Sequence, residues 1–270
     1  MKKSLSLICA LALIVSAIPF AACSNEAHVN YTLGEDGAHY IVSGVSGNKK
    51  ALINYEIPSQ YCEREGGELL PVTEIGDDAF NGCIRLNYIS LPDTIEIIGA
   101  SAFRRCSFDT FTIPEGVTTI GRGAFSQCDV LTSIVIPESV IVIQDLAFAY
   151  CSSLKKAVIK GPVTYLPYRA FYNSYSVGTL GGSVYTSTSL VSIYLPATLE
   201  KIHISALDGN YIEDIYFAGS KEQWDKVYFY QTVKEEGDDG EMHDVEKKVE
   251  GEGGAKPMPG NVKVHYNVKG

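Results

Sequence analysis

The sequence has little of the equipment that most catalytic and nucleic-acid-binding proteins need. Its 270 residues include one tryptophan, three methionines and five histidines. Only 22 lysines and arginines stand against 32 acidic residues, which gives a formal net charge of −10. Because nucleic-acid binding needs a basic face to meet the phosphates, this balance argues against it. With 46% hydrophobic residues, the chain is nevertheless globular in composition.

Motifs of catalysis and metal binding are absent as well. No histidine stands in a Gly-x-Ser-x-Gly or His-Glu-x-x-His motif, and the pairs Gly66-Gly67 and Gly181-Gly182 lack the lysine of a phosphate-binding loop. No Cys-x2-Cys pair suggests zinc. The sequence therefore predicts no catalytic residue, no metal and no cofactor. A hydrolase that uses unrecognised residues is the least favoured interpretation.

The N-terminus has the pattern of an export signal. Met1-Lys2-Lys3 precedes a largely apolar stretch, Leu5 to Ile18, that is too short to span a bilayer comfortably, and no second long apolar stretch follows. The segment Phe20-Ala21-Ala22-Cys23 resembles a bacterial lipobox, which implies cleavage before Cys23 and a lipid on its thiol. Each buried methylene of such a lipid contributes ~0.8 kcal/mol to anchoring. An ordinary secretory signal cleaved nearby is the alternative, and the protein would then be secreted.

The middle of the chain repeats with a period of 22 or 23 residues. The dipeptide Ala-Phe marks the period, and a cysteine follows four of the five phenylalanines by three places. The pairs are Ala79-Phe80, Ala102-Phe103, Ala124-Phe125, Ala147-Phe148 and Ala170-Phe171. Ala206-Leu207 continues the series after 36 residues, which is one period plus 13. Such self-similarity is typical of solenoids, in which each repeat forms one coil.

A second pattern, between these marks, predicts one short strand per coil. In Leu131-x-x-Ile134-x-Ile136-Pro137, apolar residues alternate at the end, and the proline cannot donate to a β-ladder. The unit length also falls within the ~20–29 residues of leucine-rich repeats. We therefore predict an α/β-type solenoid. It is a leucine-rich repeat stack with a short parallel β-sheet, mostly strand and loop, with a cap at each end.

The repeat resembles a specific family. The string Val-Thr-x-Ile-Gly-x-x-Ala-Phe-x-x-Cys-x-x-Leu-x-x-Ile-x-Ile-Pro is similar to the BspA-type leucine-rich repeat, and Val117 to Pro137 and Val72 to Pro92 match it best. Ile212 to Val227, with Trp224, resembles the end cap of that family. The resemblance implies a bacterial protein that is secreted or bound to the cell surface, and it implies an adhesive function.

The stack needs a cap at each end, because its terminal coils would otherwise expose their apolar sides. We assign residues 1–22 to the signal peptide, 23–70 to a tether and N-terminal cap, 71–217 to about six coils, and 218–270 to a C-terminal cap. Alternating apolar residues predict the N-terminal cap: Tyr31, Leu33, Tyr40, Val42, Leu52 and Ile57.

Three features are predicted for the C-terminal cap. Ser220 to Asp225 should form a short helix with a serine N-cap, and Trp224 should seal the last coil. Val262-Val264-Tyr266 should form a last strand. Lys234 to Gly253 contains nine acids and three lysines, so we expect residues 234–253 to be an acidic, solvated loop.

The cysteines of the repeats invite two interpretations. Their spacing favours small buried side chains that fill one slot per coil. Disulfides between adjacent coils are the alternative. With Cys23 lipidated, an odd number of cysteines remains near and within the coils, so one at least would be unpaired. They are Cys62, Cys83, Cys106, Cys128 and Cys151.

Two surfaces are candidates for recognition. The first is the outward side of the strands, which carries Tyr88, Tyr194 and Tyr216, since tyrosine offers apolar area and a hydroxyl at low entropic cost. Its remaining members are Ser90, Thr110, Thr112, Ser133, Val135, Lys156, Val158, Ser192 and Asp214. The second is the insertion of 13 residues within 172–189, rich in Tyr, Ser and Gly, from which we select Tyr175 and Tyr185.

These observations predict a lipid-anchored module on the bacterial cell surface or outer membrane. We expect it to bind or adhere to a protein or glycan partner, to contact the membrane only through its lipid, and to perform no chemistry. The alternative is a structural spacer or scaffold subunit of a surface complex.

Overall fold

Each repeat folds into one coil with a short strand before the Ala-Phe dipeptide, and most coils have a second short strand after the position of the cysteine; the second coil has only an isolated bridge there, at Thr110. The computed structural model describes residues 26–64, 66–173, 178–180, 183–185, 190–236, 241–249 and 262–269. Its first strands are β1 (Ala27–Leu33), β2 (Tyr40–Gly47), β3 (Asn54–Glu56), β4 (Gln60–Tyr61), β5 (Leu70–Ile75), β6 (Tyr88–Ser90), β7 (Ile97–Ile98), β8 (Thr119–Ile120), β9 (Ser133–Ile136) and β10 (Val142–Ile143). They continue with β11 (Lys156–Ile159), β12 (Tyr165–Leu166), β13 (Gly178–Leu180), β14 (Ser183–Tyr185), β15 (Ser192–Leu195), β16 (Lys201–His203), β17 (Asp214–Phe217), β18 (Tyr228–Glu236), β19 (Met242–Val249) and β20 (Lys263–Tyr266). The α-helix of the described part, α1, spans Lys221–Lys226.

Equivalent strands of successive coils pair in parallel. The strands after the cysteines form a five-stranded sheet in the order β9-β11-β15-β17-β20. The strands before the Ala-Phe dipeptides belong to a seven-stranded sheet that contains β5-β7-β8-β10 and to a four-stranded sheet with the order β12-β16-β18-β19. These parallel ladders, and the almost complete absence of helix in the described part, confirm the leucine-rich repeat solenoid predicted from the sequence.

The five Ala-Phe dipeptides lie coil over coil. Consecutive phenylalanine rings, from Phe80 to Phe171, stack with centroids 5.4, 5.4, 5.2 and 5.2 Å apart. Each of these phenylalanine N–H groups donates to the alanine carbonyl of the next coil; for Phe125 and Ala147 the distance is 2.8 Å. Phe171 bonds in the same way to Ala206 at 2.9 Å, which confirms Ala206 as the equivalent residue of the sixth coil.

The cysteines fill a second buried ladder beside the phenylalanines. Cys83, Cys106, Cys128 and Cys151 are all buried. Each of the last three thiols donates to the phenylalanine carbonyl of the preceding coil; Cys128 reaches Phe103 at 3.2 Å. Burial raises the pKa values of the Cys128 and Cys151 thiols well above the ordinary value for a cysteine. These thiols are thus both packed and hydrogen-bonded within the stack.

Two recurrent positions of the repeat adopt a left-handed backbone. One precedes the alanine and is occupied by Asp78, Ser101, Gly123, Leu146 and Arg169. The other precedes the cysteine and is occupied by Gly82, Arg105, Gln127 and Tyr150. Their φ angles lie between 52° and 77°. Since non-glycine residues rarely adopt this conformation, inter-coil packing and hydrogen bonding impose it against local preference.

The N-terminal cap is an antiparallel hairpin of β1 and β2, and β2 pairs in parallel with β5. The predicted residues Tyr40, Val42, Leu52 and Ile57 are buried. The prediction is wrong for Leu33, which is 46% exposed. Leu33 ends the edge strand β1, after a bulge at Asn30 and Tyr31 that interrupts the alternation on which the prediction relied.

The C-terminal cap has the predicted helix, buried tryptophan and last strand. Ser220 is the N-cap of α1 and forms a capping box with Gln223. Trp224 is buried against Phe217, with ring centroids 5.2 Å apart. The predicted last strand is β20, which pairs in parallel with β17.

The prediction of an acidic loop over 234–253 is wrong for most of that segment. Lys234 lies within β18, which pairs with β19 in an antiparallel hairpin. Lysines and acids face each other across this hairpin: Lys234 bonds Asp244 at 2.8 Å, and Lys247 pairs with Glu235. Cross-strand ion pairs therefore offset the acidic charge that argued for a loop. Residues 237–240 and 250–253 lie outside the described residues.

Replacing Phe125 tests the core assignment. Its ring contacts Phe103, Phe148 and Phe111, and its side chain is fully buried. We expect Phe125→Ala to lower the free energy of unfolding in guanidinium by ~3–5 kcal/mol, because it leaves a cavity. Val130→Ala, at a residue 43% exposed, should stay within ~0.5 kcal/mol of the parent. Equal stability of the two variants would contradict the assignment.

Candidate functional site

Three ring side chains stack in register on the outward side of the five-stranded sheet. Tyr194 on β15, Tyr216 on β17 and His265 on β20 are direct neighbours across the parallel ladder. The ring centroids of Tyr194 and Tyr216 are 4.3 Å apart, and those of Tyr216 and His265 are 4.7 Å apart, with interplanar angles of 13° and 15°. We call these three residues the aromatic ladder.

Charged groups flank the aromatic ladder at both ends. The Lys156 ammonium lies 4.8 Å from the centroid of the Tyr194 ring, a cation–π contact. At the other end, the imidazole Nε2 of His265 is 2.7 Å from a carboxylate oxygen of Asp214. This bond and the ring stacking fasten β20, which is remote in sequence, to β17.

The stacking determines which groups a partner can meet. Because β17 lies between β15 and β20, the Tyr216 ring has Tyr194 against one face and His265 against the other. The side chains of Tyr194, Tyr216 and His265 are half-exposed. A ligand that approaches Tyr216 therefore meets its ring edge and hydroxyl rather than an open ring face.

Of the residues selected from the sequence, the structure brings together only Tyr194 and Tyr216. Tyr88 is 54% exposed, but it lies on β6, whose partner is β3. By the repeat it is equivalent to Lys156 and Asp214, not to Tyr194 and Tyr216. Tyr88 therefore lies apart from the aromatic ladder, in the other outward column of side chains.

The other selected residues are described less fully. Tyr175 and Cys23 lie outside the described residues. Tyr185 ends β14, which forms an antiparallel pair with β13, but its side chain also lies outside the described part. The assignment of the insertion to recognition and of Cys23 to lipid attachment stays a prediction.

One residue of the outward column departs from the prediction. Val135 is exposed as expected, whereas Val158 is only 6% exposed. Val158 is absent from the main hydrophobic core and lies in register between Val135 and Tyr194. Val158 faces outward, as predicted. It lies in the middle of the sheet, however, where the side chains of the neighbouring strands cover it.

Sequence reasoning did not select His265 as a site residue. The signal was present, because His265 lies between Val264 and Tyr266 in a segment predicted to be a strand, where successive side chains point to opposite faces. The alternation alone places its side chain outward. That it joins the column of Tyr194 and Tyr216 depends on the pairing of β20 with β17, which the sequence did not reveal.

A second polar cluster lies on the four-stranded sheet. The Lys201 ammonium bonds Glu246 of the hairpin at 2.5 Å and lies 4.8 Å from the Tyr230 ring centroid. The hydrogen bond to Glu246 raises the pKa of Lys201 above its ordinary value. These contacts fix the hairpin to the sixth coil.

His203 and Ser205 form a contact that superficially resembles a catalytic pair. The Ser205 hydroxyl is 2.9 Å from His203 Nδ1, and the Ser205 backbone N–H donates to the same nitrogen at 3.1 Å. The imidazole is buried between the rings of Tyr168 and Tyr230, and burial lowers its pKa. The two bonds to Nδ1 and the two flanking rings hold the imidazole as part of the turn after β16.

The described ranges contain neither a cluster of metal ligands nor a membrane-spanning helix. In them, no three His, Cys, Asp or Glu side chains gather in a way that would hold a metal ion. Nor does any helix of those ranges have the length and apolar character of a membrane span.

The comparison with protein families identifies the repeats. A family model described as the BspA type leucine rich repeat region matches residues 70–178 and 175–235, in six copies. The comparison with curated proteins gives no match.

Several solved structures are similar to this chain. The leucine-rich repeat protein of T. pallidum is 25% identical, over 70% of this chain and 82% of that one, with a TM-score of 0.46. One from Bacteroides ovatus is 19% identical, over 76% and 66% of the two chains, with a TM-score of 0.32. A leucine rich cell surface protein from Faecalibacterium prausnitzii is 16% identical, over 75% and 97%, with a TM-score of 0.20.

The packing of the aromatic ladder predicts a difference between two exposed tyrosines. Tyr194→Ala removes one ring stack and one cation–π contact, so we expect the free energy of unfolding in guanidinium to fall by about 1–2 kcal/mol. Tyr88→Ala, outside the ladder, should change it by less than ~0.5 kcal/mol. If Tyr88→Ala costs as much as Tyr194→Ala, the ladder is not a stabilising unit.

Proposed function

Because the chain belongs to the BspA-type leucine-rich repeat family, we propose that it is a bacterial cell-surface module that binds or adheres to a protein or glycan. It is anchored by a lipid on Cys23, and it performs no chemistry. The aromatic ladder is the observation that carries this proposal. A row of half-exposed rings, fixed by the sheet and flanked by Lys156 and Asp214, offers a rigid recognition surface.

The ladder supports recognition through hydroxyl groups and ring edges. The Tyr194 and Tyr216 rings are held by their neighbours, so a ligand that bonds their hydroxyls does not have to immobilise them. Lys156 and Asp214 add one charge of each sign beside the rings. We assign the primary contact to Tyr194 and Tyr216. Tyr88 contributes only if the ligand is long enough to cross the strands that separate it from them.

The insertion is proposed as a second contact. It lies within residues 172–189, between β11 and β15 in the chain, and these two strands nevertheless pair directly in the sheet. Its abundance of tyrosine, serine and glycine is typical of adaptable recognition loops. Tyr175 and Tyr185 are the residues that we propose to contact the partner.

A structural spacer or scaffold subunit is the second candidate. The ladder itself favours this candidate, because Tyr194 and His265 stack on the two faces of the Tyr216 ring and leave neither face for a ligand. In that case the aromatic residues serve to hold the last strand in place, and the surface has no ligand of its own.

Substitutions that keep the rings separate the two candidates. Residues 24–270 are screened as a soluble protein against arrays of glycans and bacterial and host surface proteins, and saturable binding is measured by calorimetry. The double variant Tyr194→Phe/Tyr216→Phe keeps both stacks but removes both hydroxyls. We expect it to weaken binding about 5- to 10-fold, the loss of one or two net hydrogen bonds.

Tyr88→Phe is the matched control, and a ligand confined to the ladder should not distinguish it from the parent. Deletion of residues 175–185 tests the insertion separately and should also weaken binding. Unchanged affinity of the double variant would defeat recognition by the ladder. Failure of the parent to bind any member of either array would favour the spacer.

The lipid anchor has its own test. In a bacterial host that processes lipoproteins, the parent chain should incorporate a labelled fatty acid and sediment with the membrane fraction. Cys23→Ser should lose both properties, because the lipid is attached through the thiol and two or three acyl chains are needed for firm anchoring. Ser24→Ala is the control. Release of both proteins into the medium at the same rate would support the ordinary secretory signal instead.

A further inference from the structure

Two arginines converge on one amide oxygen at the turn that precedes the cysteine of the second coil. Arg104 Nε donates to Gln127 Oε1 at 3.1 Å, and Arg105 Nε donates to the same oxygen at 2.8 Å. Gln127 occupies the position of the third coil equivalent to Arg105. The amide of one coil thus holds the two guanidinium groups of the preceding coil side by side.

Neither guanidinium forms a close ion pair, although Asp129 lies within electrostatic range of Arg105. In residues 26–64, 66–173 and the other described segments, no carboxylate lies within 4.0 Å of Arg104 or Arg105. Within the described part of the chain, the hydrogen bonds of both side chains use Nε alone, so the terminal amino groups of each remain for another acceptor. Two like charges therefore lie side by side, and an anion between them would lower their mutual repulsion.

The backbone at this position gives no local reason for an arginine. Arg105 has a φ of 61° and Gln127 a φ of 62°, whereas the first coil places Gly82 at the equivalent position with a φ of 77°. Glycine adopts this conformation without strain, and both larger residues do so at a cost. The backbone conformation therefore does not select arginine at this position, and the bond to Gln127 uses the Nε of Arg105 but not its terminal amino groups.

A shallow surface pocket opens beside the pair. Arg105, Ser107 and Gln127 contribute polar groups to its lining, and the aliphatic side chains of Ile84 and Val130 stand on its rim. Both aliphatic side chains are largely exposed, at 47% and 43%. A small group can therefore contact Arg105 from solvent and rest against apolar surface, and Arg104 lies beside Arg105 through their shared bond to Gln127.

We propose that Arg104, Arg105 and Gln127 form a binding site for a single oxyanion group, a carboxylate or a sulfate. The planar guanidinium groups match the paired oxygens of both anions, and the Gln127 amide N–H2 supplies a further donor beside them. The site lies outside the five-stranded sheet and does not depend on the function proposed for the aromatic ladder.

The surrounding charge limits the class of ligand. Asp129 also lines the pocket, and its carboxylate accepts a bond from Ser152 at 3.5 Å. Together with the overall charge of −10, it disfavours long polyanions, which would meet acidic surface on either side. The site therefore fits one anionic group on an otherwise weakly charged molecule, such as a uronic acid or a sulfate ester of a neutral sugar.

Arginine side-chain resonances provide a direct test. The sequence contains six arginines: Arg64, Arg85, Arg104, Arg105, Arg122 and Arg169. Their Nε–H signals are followed by NMR while sodium sulfate, glucuronate or galactose 6-sulfate is added at constant ionic strength, with sodium chloride as the reference. We expect the Arg104 and Arg105 signals to shift together on one saturable binding curve. The Kd of that curve should be at least fivefold lower than the Kd of any change at Arg85 or Arg122.

Glucuronate and galactose 6-sulfate distinguish a carboxylate from a sulfate ester as the preferred group. Arg105→Gly should abolish the saturating curve without loss of thermal stability, because the first coil already uses glycine at this position. Arg122→Gln removes the same charge from the neighbouring coil and should leave the curve unchanged. Asp129→Asn should lower the Kd of the binding curve severalfold. Equal, unsaturated shifts at all exposed arginines, or a curve that persists in Arg105→Gly, would overturn the proposal.

Discussion

The contact between one coil and the next is the interaction on which this structure depends. Each coil is too short to enclose apolar side chains of its own, so its alanine, phenylalanine and cysteine are buried only when another coil lies against them. The regular spacing of about 5 Å between phenylalanine rings follows from the parallel backbone pairing, since neighbouring strands lie ~4.8 Å apart. Packing and hydrogen bonding thus have the same period, and each favours the register that the other requires.

The same register creates the surface features. An outward residue at one position of the repeat necessarily lies beside the outward residue of the next coil. Where two such residues are tyrosines, as in β15 and β17, they stack; where one is a lysine, it lies over the neighbouring ring. The convergence of Arg104 and Arg105 on Gln127 has the same origin, since their turns are equivalent positions of consecutive coils. A solenoid can therefore assemble a site from residues that are one period apart, without a cavity or a dedicated loop.

Features with the period of the repeat could be predicted from the sequence. The Ala-Phe dipeptides, the cysteines and the alternating strand residues gave the fold, the buried ladder and the outward column. The short helix also followed from local signals, because Ser220 and Gln223 are in the positions of a capping box. In these cases the information lies within one repeat or within one turn of the chain.

Features that depend on distant pairing could not be predicted. The hairpin of β18 and β19 is stabilised by ion pairs such as Lys234 with Asp244, whereas its composition indicated a loop. The stacking of His265 on Tyr216 depends on the docking of β20, more than 40 residues beyond β17 in the chain. The burial of Val158 depends on neighbours in other coils. The left-handed conformation of Leu146 and Tyr150 is likewise imposed by packing and is not signalled by a glycine.

The stacking of the coils is tested most directly by nuclear Overhauser effects between phenylalanine rings, in protein labelled only at phenylalanine. The structure predicts a continuous chain of ring-to-ring effects that connects Phe80, Phe103, Phe125, Phe148 and Phe171 in that order. Spectra in which Phe125 shows no effect to either Phe103 or Phe148 would contradict the account.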